Sequence, residues 1–358
     1  MKTKLLQCGV IALSAVLLAG CSSEQKAEAP VTDSVLLYYG SLMSDAAGTG
    51  YEAENFAALY GLPKEIFPVK PFDGMSGKVK GVIVRTEDQY GETDPDIIVY
   101  NENGFKTKAE YTDKYDRYEY EFSMNWTSDD KLVEESRLLH EDAEGGYDAV
   151  YSIDGILDRS AEVSFDGNKR PVSRCIYWHT EYEEDESGDE YLVPAKKPQL
   201  YSEENWKYDA DGNIVEYTIS LWGRTPDKWE MTYSEDGKSM LAAVHVHSDG
   251  TEEKIRYRYY DGMPEKPAEI TFYDKNGKRQ KRHWLSYDDA GNLVEAVIEN
   301  TGKFSQEIFG AGGLRLKYST PTHNSMVSYE FDAIGNWTKR IENSDYGTSV
   351  KERQITYY

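Results

Sequence analysis

Tyr208-Asp209-Ala210-Asp211-Gly212-Asn213-Ile214 returns as Tyr287-Asp288-Asp289-Ala290-Gly291-Asn292-Leu293, and again as Phe331-Asp332-Ala333-Ile334-Gly335-Asn336-Trp337. An aromatic residue, Asp, two free positions, Gly, Asn and a large apolar residue spell a hairpin. The free positions take right-handed backbone and the Gly takes the left-handed conformation, which only Gly adopts without steric cost. The Asp carboxylate caps the turn and faces the Asn across the strands. The next pair outward sets aromatic against apolar, Tyr208 opposite Ile214, Tyr287 opposite Leu293 and Phe331 opposite Trp337, each contributing roughly 0.2–1 kcal/mol.

The same grammar runs through the chain from Lys78 onward. Tyr100-Asn101-Glu102-Asn103-Gly104-Phe105 is a degenerate copy, and further turn glycines fall at Gly237, Gly250 and Gly277. Several neighbouring turns lie about 12 to 15 residues apart, the length of one strand plus one tight turn. The expected fold is all-β, a long antiparallel meander of repeated β-hairpins that curls into an open spiral or barrel-like body. The 29 tyrosines, many in strand-like runs, suit a pleated, half-buried surface. Lys351 to Tyr358 reads as a strand, so the last edge needs a cover or a partner. Pro194 to Pro198 reads as a non-strand link. The acidic run from Glu181 to Glu190 reads as a hydrated hairpin tip, with a calcium loop as the sharper alternative.

The N-terminus carries a different message. Lys2 and Lys4 precede an apolar run from Leu5 to Gly20, closed by Leu18-Ala19-Gly20-Cys21. That run falls short of the roughly 20 apolar residues a membrane span needs. Its ending resembles the lipobox of bacterial lipoproteins. The resemblance implies a signal peptide over residues 1–20, lipidation of Cys21 by diacylglycerol, a polar tether over 21–34, and a cell-envelope protein anchored to membrane; Ser22 implies the outer membrane. Residues 35–77 then form an N-terminal cap with a short helix over Tyr51 to Leu62, ended by Gly61 and Pro63. Residues 78–358 are the hairpin domain. With Cys8 in the leader and Cys21 acylated, Cys175 stands alone, either a buried inert thiol or half of an intermolecular disulfide.

Tyr-Asp-x-x-Gly-Asn followed by an apolar residue resembles the YD-repeat, or Rhs-type, family. The match is good at Tyr208–Ile214, Tyr287–Leu293 and Phe331–Trp337, partial at Tyr273–Lys278 and Tyr233–Lys238, and weak before residue 170. The resemblance implies a sheet of repeated hairpins and a carbohydrate-binding or cell-surface role. This chain is too short for the closed toxin-enclosing shell of the family's large members, so binding or a structural role in the envelope remains.

Charge and motifs narrow the chemistry. A formal net charge of −24 repels phosphate backbones, which argues against nucleic acid and favours cations or neutral ligands. No nucleophile elbow, phosphate loop or dinucleotide fingerprint is present, so no cofactor and no enzymatic activity are expected. His245-Val246-His247-Ser248-Asp249 is the one stretch with the look of a metal site. On a strand, i and i+2 face the same side, and His283 is the nearest further histidine in sequence. The spacing is similar to that of metallo-β-lactamase-type hydrolases, with Gly250 where their last His stands. Asp209, Asp211 and Asn213 resemble part of a calcium loop. Trp222 and Trp229, flanking Gly223-Arg224-Thr225-Pro226, are the candidate ligand-stacking rings. The function expected is a non-catalytic envelope lipoprotein that binds glycan or an envelope protein. The alternatives are an assembly module that docks a partner by strand addition and a metal-dependent hydrolase at His245 and His247.

Overall fold

A computed structural model describes residues 59–66, 71–89, 91–92, 95–113, 118–126, 132–141, 156–168, 170–184, 188, 190–310 and 314–358. The expected signal peptide, Cys21, the expected tether and most of the expected short helix lie outside these residues.

Almost everything described is strand. The first group is β1 (Val79–Asp88), β2 (Gly91–Glu92), β3 (Asp96–Tyr100), β4 (Lys106–Asp113), β5 (Tyr118–Trp126), β6 (Leu132–Glu141) and β7 (Ile156–Phe165). The middle group is β8 (Pro171–Glu184), β9 (Glu190–Tyr208), β10 (Ile214–Leu221), β11 (Asp227–Tyr233), β12 (Met240–Val246), β13 (Glu252–Tyr260) and β14 (Met263–Tyr273). The last is β15 (Arg279–Tyr287), β16 (Leu293–Asn300), β17 (Lys303–Phe309), β18 (Arg315–Ser319), β19 (Asn324–Phe331), β20 (Trp337–Ser344) and β21 (Gly347–Tyr357). All 21 belong to one antiparallel sheet in which, from β3 onward, each strand pairs with the next.

The turn chemistry sets the register. Ile214 lies opposite Tyr208, Tyr287 opposite Leu293 and Phe331 opposite Trp337. Gly212, Gly291 and Gly335 have φ of +92°, +80° and +95°. In each turn the Asp amide donates to the Asn carbonyl and the Gly amide to the Asp carbonyl, as between Asp288, Gly291 and Asn292 at 2.9 Å.

β1 pairs with β3 along one side and with β21 along the other, from Val79–Tyr357 to Glu87–Val350. The meander therefore curls until its last strand meets its first, and the final strand is covered from within the chain. Asn336 reinforces that meeting. Its side-chain oxygen accepts from the Ser76 amide at 2.7 Å, and its amide donates to the Ser76 carbonyl at 2.7 Å and the Tyr357 hydroxyl at 2.8 Å.

One expectation is corrected. Residues 194–198 are part of β9, not a link. The β8–β9 ladder shifts register around Trp178 and Thr180, and such an irregularity accommodates proline, which has no N–H to donate. Cys175 is buried on β8, 3% exposed. Glu184 pairs with Glu190, so the acidic run does turn between β8 and β9.

Candidate functional site

The main apolar cluster lies on one face of β9 to β17, and the segment 59–66 is packed onto it. Leu59, Leu62 and Ile66 join Trp206, Tyr217, Ile255, Tyr257, Ile270 and Leu285 in that cluster. Leu59 and Tyr60 are helical, and Lys64–Ile66 is a 3-10 turn. Three ring side chains of the sheet satisfy backbone carbonyls of this segment. Trp206 donates Nε1–H to Glu65 at 3.2 Å, Tyr257 donates its hydroxyl to Tyr60 at 2.8 Å, and His283 Nδ1 meets Leu59 at 2.7 Å. Sequence reasoning placed a cap here but not its seat.

Between the segment and β10 to β12 lies a cavity of ≈ 350 Å³, lined by Leu62, Glu65, Tyr217, Ile219, Trp229 and His245 among others. The ladder explains the wall. Trp206 pairs with Tyr217, Tyr217 with Trp229, Trp229 with His245 and His245 with Glu253, one row across five strands. Trp229 and His245 stack at 3.9 Å and 11°. Near the cavity Glu204, 1% exposed, holds Arg174 at 2.7 Å as a buried ion pair. Burial first, and then Glu204, push the Tyr217 hydroxyl pKa far up.

The next row outward carries the metal-like chemistry. Asp227 pairs with Ile219, and continuing the Lys228–Val246 register sets Asp227 opposite His247. Asp227, His245 and His247 each place one donor atom within 4.8 Å of the others. Sequence reasoning found both histidines and missed Asp227, because the break after Leu221 hides the register that brings it there. The Ser248 amide donates to Asp227 Oδ1 at 2.6 Å, and Glu253 Oε2 lies 3.6 Å from His247 Nε2. Burial and the neighbouring His247 lower the His245 pKa against the pull of Asp227 and Glu253. His283 takes no part in this cluster. It is fully buried against Phe272 and serves the Leu59 carbonyl. Asp249 is spent on the amide and hydroxyl of Thr251.

Trp222 stands apart from Trp229. It occupies the β10–β11 turn with φ of +53°, beside Gly223 at +64°. Its ring is perpendicular to both members of a Trp178–Tyr201 stack, at 5.0 Å and 5.3 Å, and the Arg159 guanidinium lies over that stack.

Asp209, Asp211 and Asn213 come together in their turn. Asp209 Oδ1 accepts from the amides of Asp211 and Asn213, and Oδ2 accepts from the Asn213 side-chain amide at 3.1 Å. The turn itself thus supplies donors to both oxygens that a calcium ion would use.

No protein-family model matches this sequence, and neither does any curated protein. Among solved structures, a porin-like protein from Bacteroides uniformis ATCC 8492 is 8% identical at a TM-score of 0.34, over 79% of this chain and 99% of that one. A porin-like protein from Bacteroides vulgatus ATCC 8482 is 11% identical at 0.22, over 78% and 98%. A TcdB2-TccC3-Cdc42 structure is 12% identical at 0.31, over 71% of this chain and 15% of that one. Likenesses this weak leave both fold and function to be argued from the chain itself.

Proposed function

We propose that this is a non-catalytic, YD-repeat-like envelope lipoprotein, anchored through Cys21, that binds glycan on the aromatic platform around Trp222. The observation that carries the reading is the backbone of Trp222. A left-handed conformation costs a non-glycine residue roughly 1–2 kcal/mol, and a bulky one in a tight turn is kept there by what surrounds it. Here the ring is pinned against Trp178 and Tyr201 while 42% of the residue stays exposed. A rigid, half-exposed indole beside a guanidinium offers an apolar face for a sugar ring and donors for its hydroxyls. Strand addition finds less support, because β21 already pairs with β1.

The test is a glycan array probed with the detergent-solubilised lipoprotein. Saturable binding to one sugar class, lost in Trp222→Asn with the fold intact, is expected; silence of the wild type would transfer the weight to a protein partner, sought by crosslinking. Palmitate labelling that disappears in Cys21→Ser checks the anchor.

A further inference from the structure

We propose that Asp227, His245 and His247 form a binding site for a divalent transition-metal ion of the zinc class, beside the cavity that His245 lines. The inference stands apart from the glycan reading and rests on other residues. Two adjacent strands deliver the three side chains to one face: His245 and His247 by the two-residue period of β12, Asp227 by its register opposite His247. Their donor atoms already lie within 4.8 Å of one another, so small rotamer changes bring them around one ion.

A second observation points to a ligand. His245 Nε2 is buried and has no hydrogen-bond partner, although the ring stacks on Trp229. A buried nitrogen left without a partner is costly, and a metal ion would satisfy it. The centroids of His245 and His247 are 3.8 Å apart, so the two rings lie side by side on one face of β12. The amide of Ser248 orients the Asp227 carboxylate from behind, the supporting contact that ligands need. Glu253 beside His247 adds a second negative charge and can bring a fourth ligand atom. Two imidazoles with a carboxylate suit zinc, nickel or copper; calcium and magnesium require more oxygens.

The experiment uses the full mature protein stripped of metal and titrated with Zn²⁺ by calorimetry, with the visible absorption of Co²⁺ as a second readout. One ion per chain is expected, with the bands of a low-coordinate cobalt site. His247→Ala and Asp227→Asn should each weaken binding beyond the roughly 10–100-fold that loss of a mere supporting residue costs. His323→Ala, which alters a histidine paired with Asp345 elsewhere, and Trp222→Asn should leave affinity unchanged. Circular dichroism checks that the variants fold, and if His247→Ala does not, the isosteric Asp227→Asn decides. Absence of saturable binding, or affinity preserved in Asp227→Asn, overturns the proposal.

Discussion

His283 Nδ1 lies 2.7 Å from the carbonyl oxygen of Leu59, a contact that spans 224 positions of sequence. A carbonyl only accepts, so Nδ1 carries a proton. Burial, helped by Lys281 and opposed by the Leu59 bond, lowers the His283 pKa from 6.5 to about 4. The unfolded chain therefore binds a proton that the folded chain refuses. The stability this residue contributes is complete above about pH 6.5 and is lost progressively down to about pH 4, on the order of 3 kcal/mol in all. His283→Phe cannot titrate and leaves the Leu59 carbonyl unpaired, costing about 1–3 kcal/mol at pH 7. In denaturant unfolding the gap between variant and wild type should shrink from pH 7 to pH 4.5; a gap independent of pH would refute the account.

Gly61 tests the docking of the same segment by another route. Its φ is +71°, and a Cβ there would lie 2.1 Å from Phe272 Cε1 and 3.1 Å from Ile255 Cδ1. Gly302, with φ of +83° and open space around it, is the control, since alanine there meets only the backbone strain of about 1–2 kcal/mol. Gly61→Ala should cost clearly more and shift the fluorescence of Trp206 to the red as the segment lifts. Equal losses at the two positions would mean that the packing against Phe272 is not what seats the segment.

Asn336 and Asn292 occupy the same place in the repeat with different partners. The Asn292 amide returns to Asp288 Oδ2 at 3.0 Å on an exposed turn, whereas Asn336, 5% exposed, joins Ser76 to Tyr357. Asn292→Ala should cost under about 1 kcal/mol, and Asn336→Ala about 2–3 kcal/mol, because several buried groups lose partners at once. Paired thermal melts give the comparison directly.

Arg174 and Glu204 form an ion pair with side chains 5% and 2% exposed. Glu204→Gln leaves a buried guanidinium facing a neutral amide, a loss of about 3 kcal/mol. Arg174→Met combined with Glu204→Leu should recover most of it, since paired apolar replacements spare both desolvation costs. Failure of the double variant to recover would show that the pair specifies the packing of the cavity rather than merely tolerating burial.

What the sequence disclosed and what it withheld divide by distance along the chain. The Asp–Gly–Asn turns rest on chemistry contained in five residues, so the pairs Tyr208–Ile214, Tyr287–Leu293 and Phe331–Trp337 were legible. The meeting of β1 with β21 was not, because many strand pairs compete for an edge and nothing local selects one. Asp227 escaped notice for a related reason. Its place opposite His247 depends on the register of two hairpins across the left-handed turn at Trp222 and Gly223, which carries no Asp–Gly–Asn signal. His283 looked like a spare ligand because a histidine in a strand reads the same whether it faces a metal or a carbonyl from residue 59.

The Tyr358 amide donates to the Lys78 carbonyl at 3.0 Å, and Ser76 reaches Asn336 across 260 positions. This has a consequence for the order of assembly. Each hairpin can zip as its own two strands emerge, but β1 gains its second neighbour only when β21 arrives. Until then one row of its N–H and C=O groups faces outward, a template for wrong partners, and the closing contact bears the entropy of a very long loop. A polypeptide made N-terminus first must cross that interval every time it folds.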